Sequence, residues 1–493
     1  MTRSLYMTGR AQGRARRALA AASAAAVLLC ACADVSQKPY GRPDTPGKAA
    51  WSSQKDLPVA AGAMIAPDWW RQFQDPYLDR LVDQAVRAAR IGVARAEIDE
   101  ARAGALPSLD AGAGASFEKS TGQNFSKQFN LATQVNWDID IWGATAKGVQ
   151  AQSAEFKATE ADWRAGYLTL VSDVATTYFQ ILQLDEQIAQ QQQTLAKNRA
   201  ILATLDAMMG QGLVPQTRVL QQRAEINRMS KDLIELGRLR ALAGNALATL
   251  LGIPAGEFRV LPGTLQGRVR LPAVPEGLPS QLLKRRPDVV AAEYRVLAAY
   301  DVVGQAKLAQ LPSISLTGRG RTSSLALGAL MKSFTFGLMP SINFPVFDPG
   351  VKARLKTSEA RTGVAEQAYR RVVMAAFEEV ENTLVNLDAH RRQRVELQQQ
   401  AEGLAVVAAQ VDAQLKEGMV SQLDVFEAER SLLAAQLALL ANQQQILADT
   451  VTLYKALGGG WPAADVRNDV GNDVGNERGA EGRLERNPER SRP

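Results

Sequence analysis

The chain has 493 residues, a formal net charge of +6, one histidine and two cysteines. The positive balance is local: Arg3, Arg10, Arg14, Arg16 and Arg17 fall in residues 1–31, which hold no acid, so losing that segment leaves +1 and no support for nucleic-acid binding. Cys30 and Cys32 form a C-x-C pair that closes too small a ring for a relaxed disulfide, and His390 is too distant in sequence to complete a metal site with them.

The five arginines precede an apolar run, Ala18–Leu29. That run is too short to span a bilayer and has the form of a signal peptide. The segment Leu29-Cys30-Ala31-Cys32 resembles a bacterial lipobox. The bulky Leu29 before Cys30 assigns acylation to Cys32, which would carry diacylglycerol and an N-palmitoyl chain. By resemblance to other bacterial lipoproteins, Ala33 rather than an aspartate after Cys32 favours the outer membrane. Beyond residue 31 no stretch of 18 or more apolar residues remains, so a helical span is excluded and deeper insertion requires a closed β-barrel.

The sequence is duplicated. "LPSL" at 106–109 recurs as "LPSI" at 311–314, and "NWDIDIWG" at 136–143 aligns with "SINFPVFD" at 341–348, both offset by 205. "SDVATTY" from Ser172 and "GLVPQTRV" from Gly212 recur from Glu378 and Gly418, offset by 206. Four collinear matches define a repeat of about 205 residues.

Each repeat opens on strands. Phe129–Ile141 alternates Phe129, Leu131, Val135, Trp137 and Ile139 with Asn130, Gln134, Asn136 and Asp138. Its counterpart places Phe334, Phe336, Leu338, Ile342, Phe344 and Val346 on one face. Leu109–Phe117 and Ile314–Arg321 are shorter partners, giving hairpins within 108–143 and 313–347. On Ile314–Arg321, Ser315, Thr317, Arg319 and Arg321 share a face. Helices follow. No proline lies between Pro107 and Pro215 or between Pro349 and Pro462, and Ala144–Met209 and Val351–Lys416 are rich in helix formers. Each would run ~100 Å at ~1.5 Å per residue. Each meets a glycine turn, at Gly210/Gly212 or Gly418, and returns through a shorter helix, near 217–250 or 422–456.

Four strands cannot close a barrel in one chain, so two, three or four chains would share one. Periodicity alone does not choose the number. "DWWRQFQDPYLDRLVDQAV", "LPSL", "NWDIDIWG", "LLKRRPDVVAAEYRVLAA", "LPSISLTG", "PVFDPG", "FEEVENTL" and "EGMVSQLDVFEAERSLL" together resemble the outer-membrane efflux factor family, TolC-like, in its NodT-type lipoprotein branch. The resemblance spans roughly residues 32–461. It implies a mainly α fold with a small β part: a homotrimer with four strands per protomer, a shared 12-strand outer-membrane barrel, and a periplasmic coiled-coil tunnel. It implies as partners a periplasmic adaptor and an inner-membrane resistance-nodulation-division pump, and as function a passive exit duct for drugs or other toxic compounds. The expected segments are 1–31 signal peptide, 32–80 acylated N-terminus and equatorial part, 81–250 first repeat, 251–285 inter-repeat linker, 286–461 second repeat, and 462–493 disordered tail. Export of protein or oligosaccharide, or a non-transporting structural or adhesive lipoprotein, are the competing functions.

Such a duct needs no catalytic group, cofactor or metal, and no motif for one is present; His390, in "LDAHRRQR", fits a solvated helix position. The two glycine turns, at Gly212 and Gly418, are the candidate periplasmic gate. Asp424 and Glu427 share one helical face and would form a pore-facing acidic ring; Asp424 also fits a capping box with Ser421. In the first repeat Pro215 and Arg218 stand where Ser421 and Asp424 do. Arg218 is therefore expected to pair with Asp424 or Glu427 across neighbouring helix pairs. Trp137, Trp142 and Phe344 are the expected barrel-facing aromatics. Gln84 and Gln281 are offset by only 197, so the first repeat's leading helix is about eight residues short.

Overall fold

A computed structural model describes residues 40–45, 59–60, 66, 68–86, 103, 106–118, 125–272, 274–275, 283–325, 332 and 334–459. In chain order its elements are β1 (Val59–Ala60), a 3-10 turn (Trp69–Phe73), α1 (Pro76–Val86), β2 (Ser108–Glu118), β3 (Ser126–Ile139), α2 (Ala144–Gly210) and α3 (Gln216–Leu250). There follow α4 (Leu265–Arg268), β4 (Val274–Pro275), α5 (Pro287–Leu308), β5 (Ser313–Ser324), β6 (Phe334–Asn343), α6 (Pro349–Lys416) and α7 (Gln422–Ala456). Cys32, residues 87–102 that would carry the eight-residue deficit, most of the Pro-rich connector 271–280, and the tail 462–493 lie outside the described residues.

The duplication is visible element by element. Helices α3 and α7 are both 35 residues and start 206 apart, at Gln216 and Gln422. Helices α2 and α6 have 67 and 68 residues. The one-residue drift between the repeats therefore falls inside the long helix. The proline-free, Ala- and Gln-rich sequence keeps both long helices unbroken.

Contacts divide the chain into two units. One draws on residues 1–44, 92–159 and 291–370 and contains a four-stranded antiparallel sheet of order β2-β3-β5-β6. The two hairpins join through β3 and β5, with Phe129 opposite Ser324 and Ile139 opposite Ile314. The strands end at Ile139 and Asn343, short of the expected limits at 143 and 347. Asp140 takes over at the first junction. Its carboxylate accepts hydrogen bonds from the backbone N–H groups of Ala144 (2.7 Å) and Ala146 (3.0 Å), satisfying free donors at the start of α2. Asp348 does the same for Gly350 and Val351 before α6.

The other unit draws on 45–91, 160–290 and 371–493. A parallel pair, β1 with β4, adds a second small sheet that the alternation pattern did not announce, two residues being too short to alternate. The "DWWRQFQDP" stretch builds this unit's aromatic core. Trp69 stacks on Tyr454 at 5.2 Å, and Phe73 lies 5.1 Å from Phe179. Trp69, Phe73, Tyr178, Phe179 and Tyr454 are all at most 1% exposed. Burying a Phe-sized side chain contributes roughly 2–3 kcal/mol. Asp75 ties the turn in, accepting from the Tyr178 hydroxyl (2.7 Å) and from the N–H of Tyr77 at the start of α1.

Candidate functional site

The sheet has two unlike faces. One carries Leu109, Phe117, Val135, Trp137, Ile139, Phe334, Phe336, Leu338 and Ile342, each between 36% and 70% exposed. No other described residue covers this surface. Gly318 and Gly320 sit on the same face and are buried beneath their neighbours; a Cβ on Gly320 would meet the Phe334 ring at 2.9 Å. The opposite face is polar. Gln134 donates to Asn136 at 2.8 Å, and the Ser315 and Ser341 hydroxyls meet at 2.7 Å across β5 and β6. Strands of 10 to 14 residues with this alternation match a bilayer-spanning barrel wall, which needs about 9–11 tilted residues.

Of the three expected barrel aromatics, Trp137 lies in β3 opposite Leu316, on the apolar face. Trp142 and Phe344 lie just past the strand ends. The Trp142 indole N–H donates to the Pro312 carbonyl (2.6 Å), closing the junction between β3 and the start of β5.

The two glycine turns are built alike. The Leu213 N–H bonds the Met208 carbonyl and the Gly212 N–H bonds Met209; Met419 bonds Gln414 and Gly418 bonds Leu415. Each pair of bonds satisfies the last carbonyls of a long helix, with the glycine at φ 72° or 75° as the residue that tolerates the left-handed conformation. The far ends of α3 and α7 repeat the device at Gly252 and Gly458.

After Gly418, one Asp424 carboxylate oxygen accepts from both the backbone N–H (2.7 Å) and the hydroxyl (2.6 Å) of Ser421. The hydroxyl bond, then the backbone bond, hold the Asp424 carboxyl below its usual range. After Gly212, Pro215 offers no such cap. Asp424, Glu427 and Arg218 are all exposed. Within one chain the expected pairing of Arg218 with either acid is not made. Glu427 pairs instead with Arg430, three residues on, which reaches it along one helical face. A groove of about 330 Å³ runs beside these groups, lined by Gln221, Glu225, Arg228, Phe426, Glu427 and Arg430.

Sequence reasoning missed three buried ion clusters. Glu293 on α5 is fully buried and takes both oxygens' bonds from Arg42 (2.7 and 2.5 Å) and one from the Tyr40 hydroxyl (3.1 Å). Burial, then the Glu293 charge, push the Tyr40 hydroxyl well up. Arg370 bonds the Asp44 carbonyl, so residues 40–45 are held at two points. In the second unit, Arg286 of "LLKRRPDV" reaches Asp288, Glu379 (2.6 Å) and the Ala456 carbonyl (3.1 Å). His390 is not a solvated position. Its Nδ1 lies 2.6 Å from Asp449 Oδ2, and Asn442 bonds its carbonyl. Burial raises the Asp449 carboxyl, while His390 opposes the rise.

Residues 79–253 and 278–459 match the family model described as outer membrane efflux protein, one match per repeat. The chain belongs to this family. The pyoverdine export outer membrane protein OpmQ of Pseudomonas putida is 31% identical over 84% of this chain and 92% of its own. A probable outer membrane lipoprotein, SilC, of Salmonella typhimurium is 28% identical over 88% of this chain and 97% of its own. The solved structure of CusC, described in terms of folding and transmembrane channel formation, superposes with a TM-score of 0.74 at 27% identity, covering 87% of this chain and all of CusC. This efflux protein thus has the TolC-like fold, resides in the outer membrane, and works as an efflux channel component rather than as an enzyme.

Proposed function

We propose that three copies of this efflux protein close a twelve-stranded outer-membrane barrel and that the long helices carry the duct into the periplasm, for small toxic molecules. The carrying observation is the exposed apolar face of a sheet whose edge strands, β2 and β6, have no second partner among the described residues of one chain. Lipid offers no hydrogen bonds to such edges, so closure between chains is required. Three sets of four strands give an even-numbered barrel of ordinary size.

The duct is passive, and an inner-membrane resistance-nodulation-division pump acting through a periplasmic adaptor supplies the energy. The exposed Leu213, Leu220, Met419 and Leu423 around the two turns suit contact with neighbouring subunits and the adaptor. Arg218, which makes no ion pair with a described residue of its own chain, pairs with Asp424 or Glu427 of the next subunit to hold the tip closed. Acylation at Cys32 anchors each N-terminus; the lipoprotein relative supports this reading.

Native mass spectrometry of the mature protein extracted in detergent tests these points together. The expected result is a trimer whose protomer begins at Cys32 and carries three acyl chains. A monomer would leave the sheet edges open and defeat the barrel.

A further inference from the structure

The polar face of the sheet carries an unbalanced charge at mid-height. Arg319 and Arg321 both project from β5 onto this face, two residues and therefore ~7 Å apart. Both are exposed, and neither makes an ion pair with a described residue. The row through Arg321 runs Gly112, Ala132, Arg321, Thr335. The row through Arg319 runs Asp110, Gln134, Arg319, Gly337. Gly337, directly beside Arg319, has nothing within 4 Å of where a Cβ would stand, nor has Gly112, two strands from Arg321, whose own neighbours are the small Ala132 and Thr335.

The acids on this face are Asp110, Asp138 and, by its register position at the hairpin end of β2, Glu118. Asp110 lies two strands from Arg319, ~9.6 Å away. Asp138 pairs with Ser315, four residues down β5 from Arg319, ~13 Å away. These are backbone spacings, and neither acid makes an ion pair with either arginine among the described residues. The two rows thus hold two cations against one acid in each chain.

We infer that Arg319 and Arg321 form an anion-attracting collar inside the barrel, on the exit path, which admits anionic cargo and binds compact polyanions. The inference rests on the closed-barrel reading, which turns the polar face toward the lumen and brings six guanidinium groups around one aqueous ring. Low-dielectric walls focus their field there. The charges sit on rigid strands, so no side-chain ordering is needed beyond the arginines themselves.

The test is single-channel recording of the full-length trimer in planar bilayers, under a KCl gradient and with inositol hexakisphosphate added on the hairpin-loop side. The Arg319→Gln/Arg321→Gln pair should lower the anion-to-cation permeability ratio severalfold and abolish block by inositol hexakisphosphate. Arg319→Lys/Arg321→Lys should retain both properties. Tip residues are identical in all forms, so they cannot produce the difference. Trimeric channels whose selectivity and block ignore the glutamine pair would overturn the collar and leave the duct standing. A wild-type chain that forms neither trimers nor channels would overturn the duct, and the collar with it.

Discussion

Removing Arg42 should release the segment at residues 40–45 far out of proportion to its size. Glu293 is fully buried, and the Arg42 side chain is only 17% exposed. The pair is bidentate, with Nε and Nη2 each on one carboxylate oxygen. Arg42→Met keeps most of the aliphatic stem but leaves Glu293 buried with the Tyr40 hydroxyl as its one remaining side-chain partner among the described residues. Orphaning a buried charge costs about 3–5 kcal/mol. Expressed as local opening, that is a factor of roughly 10² to 10³ or more. Hydrogen exchange of the intact protein, followed at residues 40–45 and around Glu293 on α5, reads this factor directly. Arg42→Met with Glu293→Leu removes both charges together and should recover most of the protection, since an apolar pair replaces a buried ion pair at little cost. Glu293→Gln, which keeps an acceptor for Arg42, should fall between. Exchange in Arg42→Met within twofold of wild type would refute the reasoning, because the carboxylate would then be solvated or otherwise paired.

Asp424 and Ser421 should make the start of α7 sensitive to acid. The folded-state pKa of Asp424 is lowered, so its contribution is present above the unfolded carboxylate range and is lost as pH falls through the lowered value. Amide exchange at residues 421–425 should accelerate on going from pH 7 to pH 3 after correction for intrinsic rates, and Asp424→Asn should flatten that dependence. Gly418→Ala forces a Cβ into φ 75° and should cost about 1–2 kcal/mol of local stability at the turn, with Gly212→Ala alike. Thermal unfolding and exchange at the tip measure it. Gly403→Ala, inside α6 with open space around it, is the control and should be neutral or slightly stabilising.

Periodicity carried most of the fold. Thirteen residues alternating from Phe129 to Ile141 can only bury or expose one face as a strand, and a proline-free stretch of good helix formers has no reason to break. The duplication fixed the equivalence of the turns at Gly212 and Gly418, because both solve the same problem of ending a long helix. Hydrophobic alternation also marked which strand face needs lipid. These properties are local or periodic, and one chain written out in order displays them.

What only the tertiary structure decided depends on which distant residues meet. The order β2-β3-β5-β6 sets Arg319 beside Gln134 and Arg321 beside Ala132, a register no single strand contains. Arg42 finds Glu293 across 251 positions, and Arg286 finds the Ala456 carbonyl across 170. His390, on a charged stretch of α6, is half-buried because Asp449 of α7 packs against it. Glu427 bonds its own helix's Arg430 rather than Arg218, since a neighbour three residues away needs no ordering of a second chain segment. Burial of an ion pair is a long-range event in sequence, and its energy depends on what surrounds both groups, which the order of residues does not state.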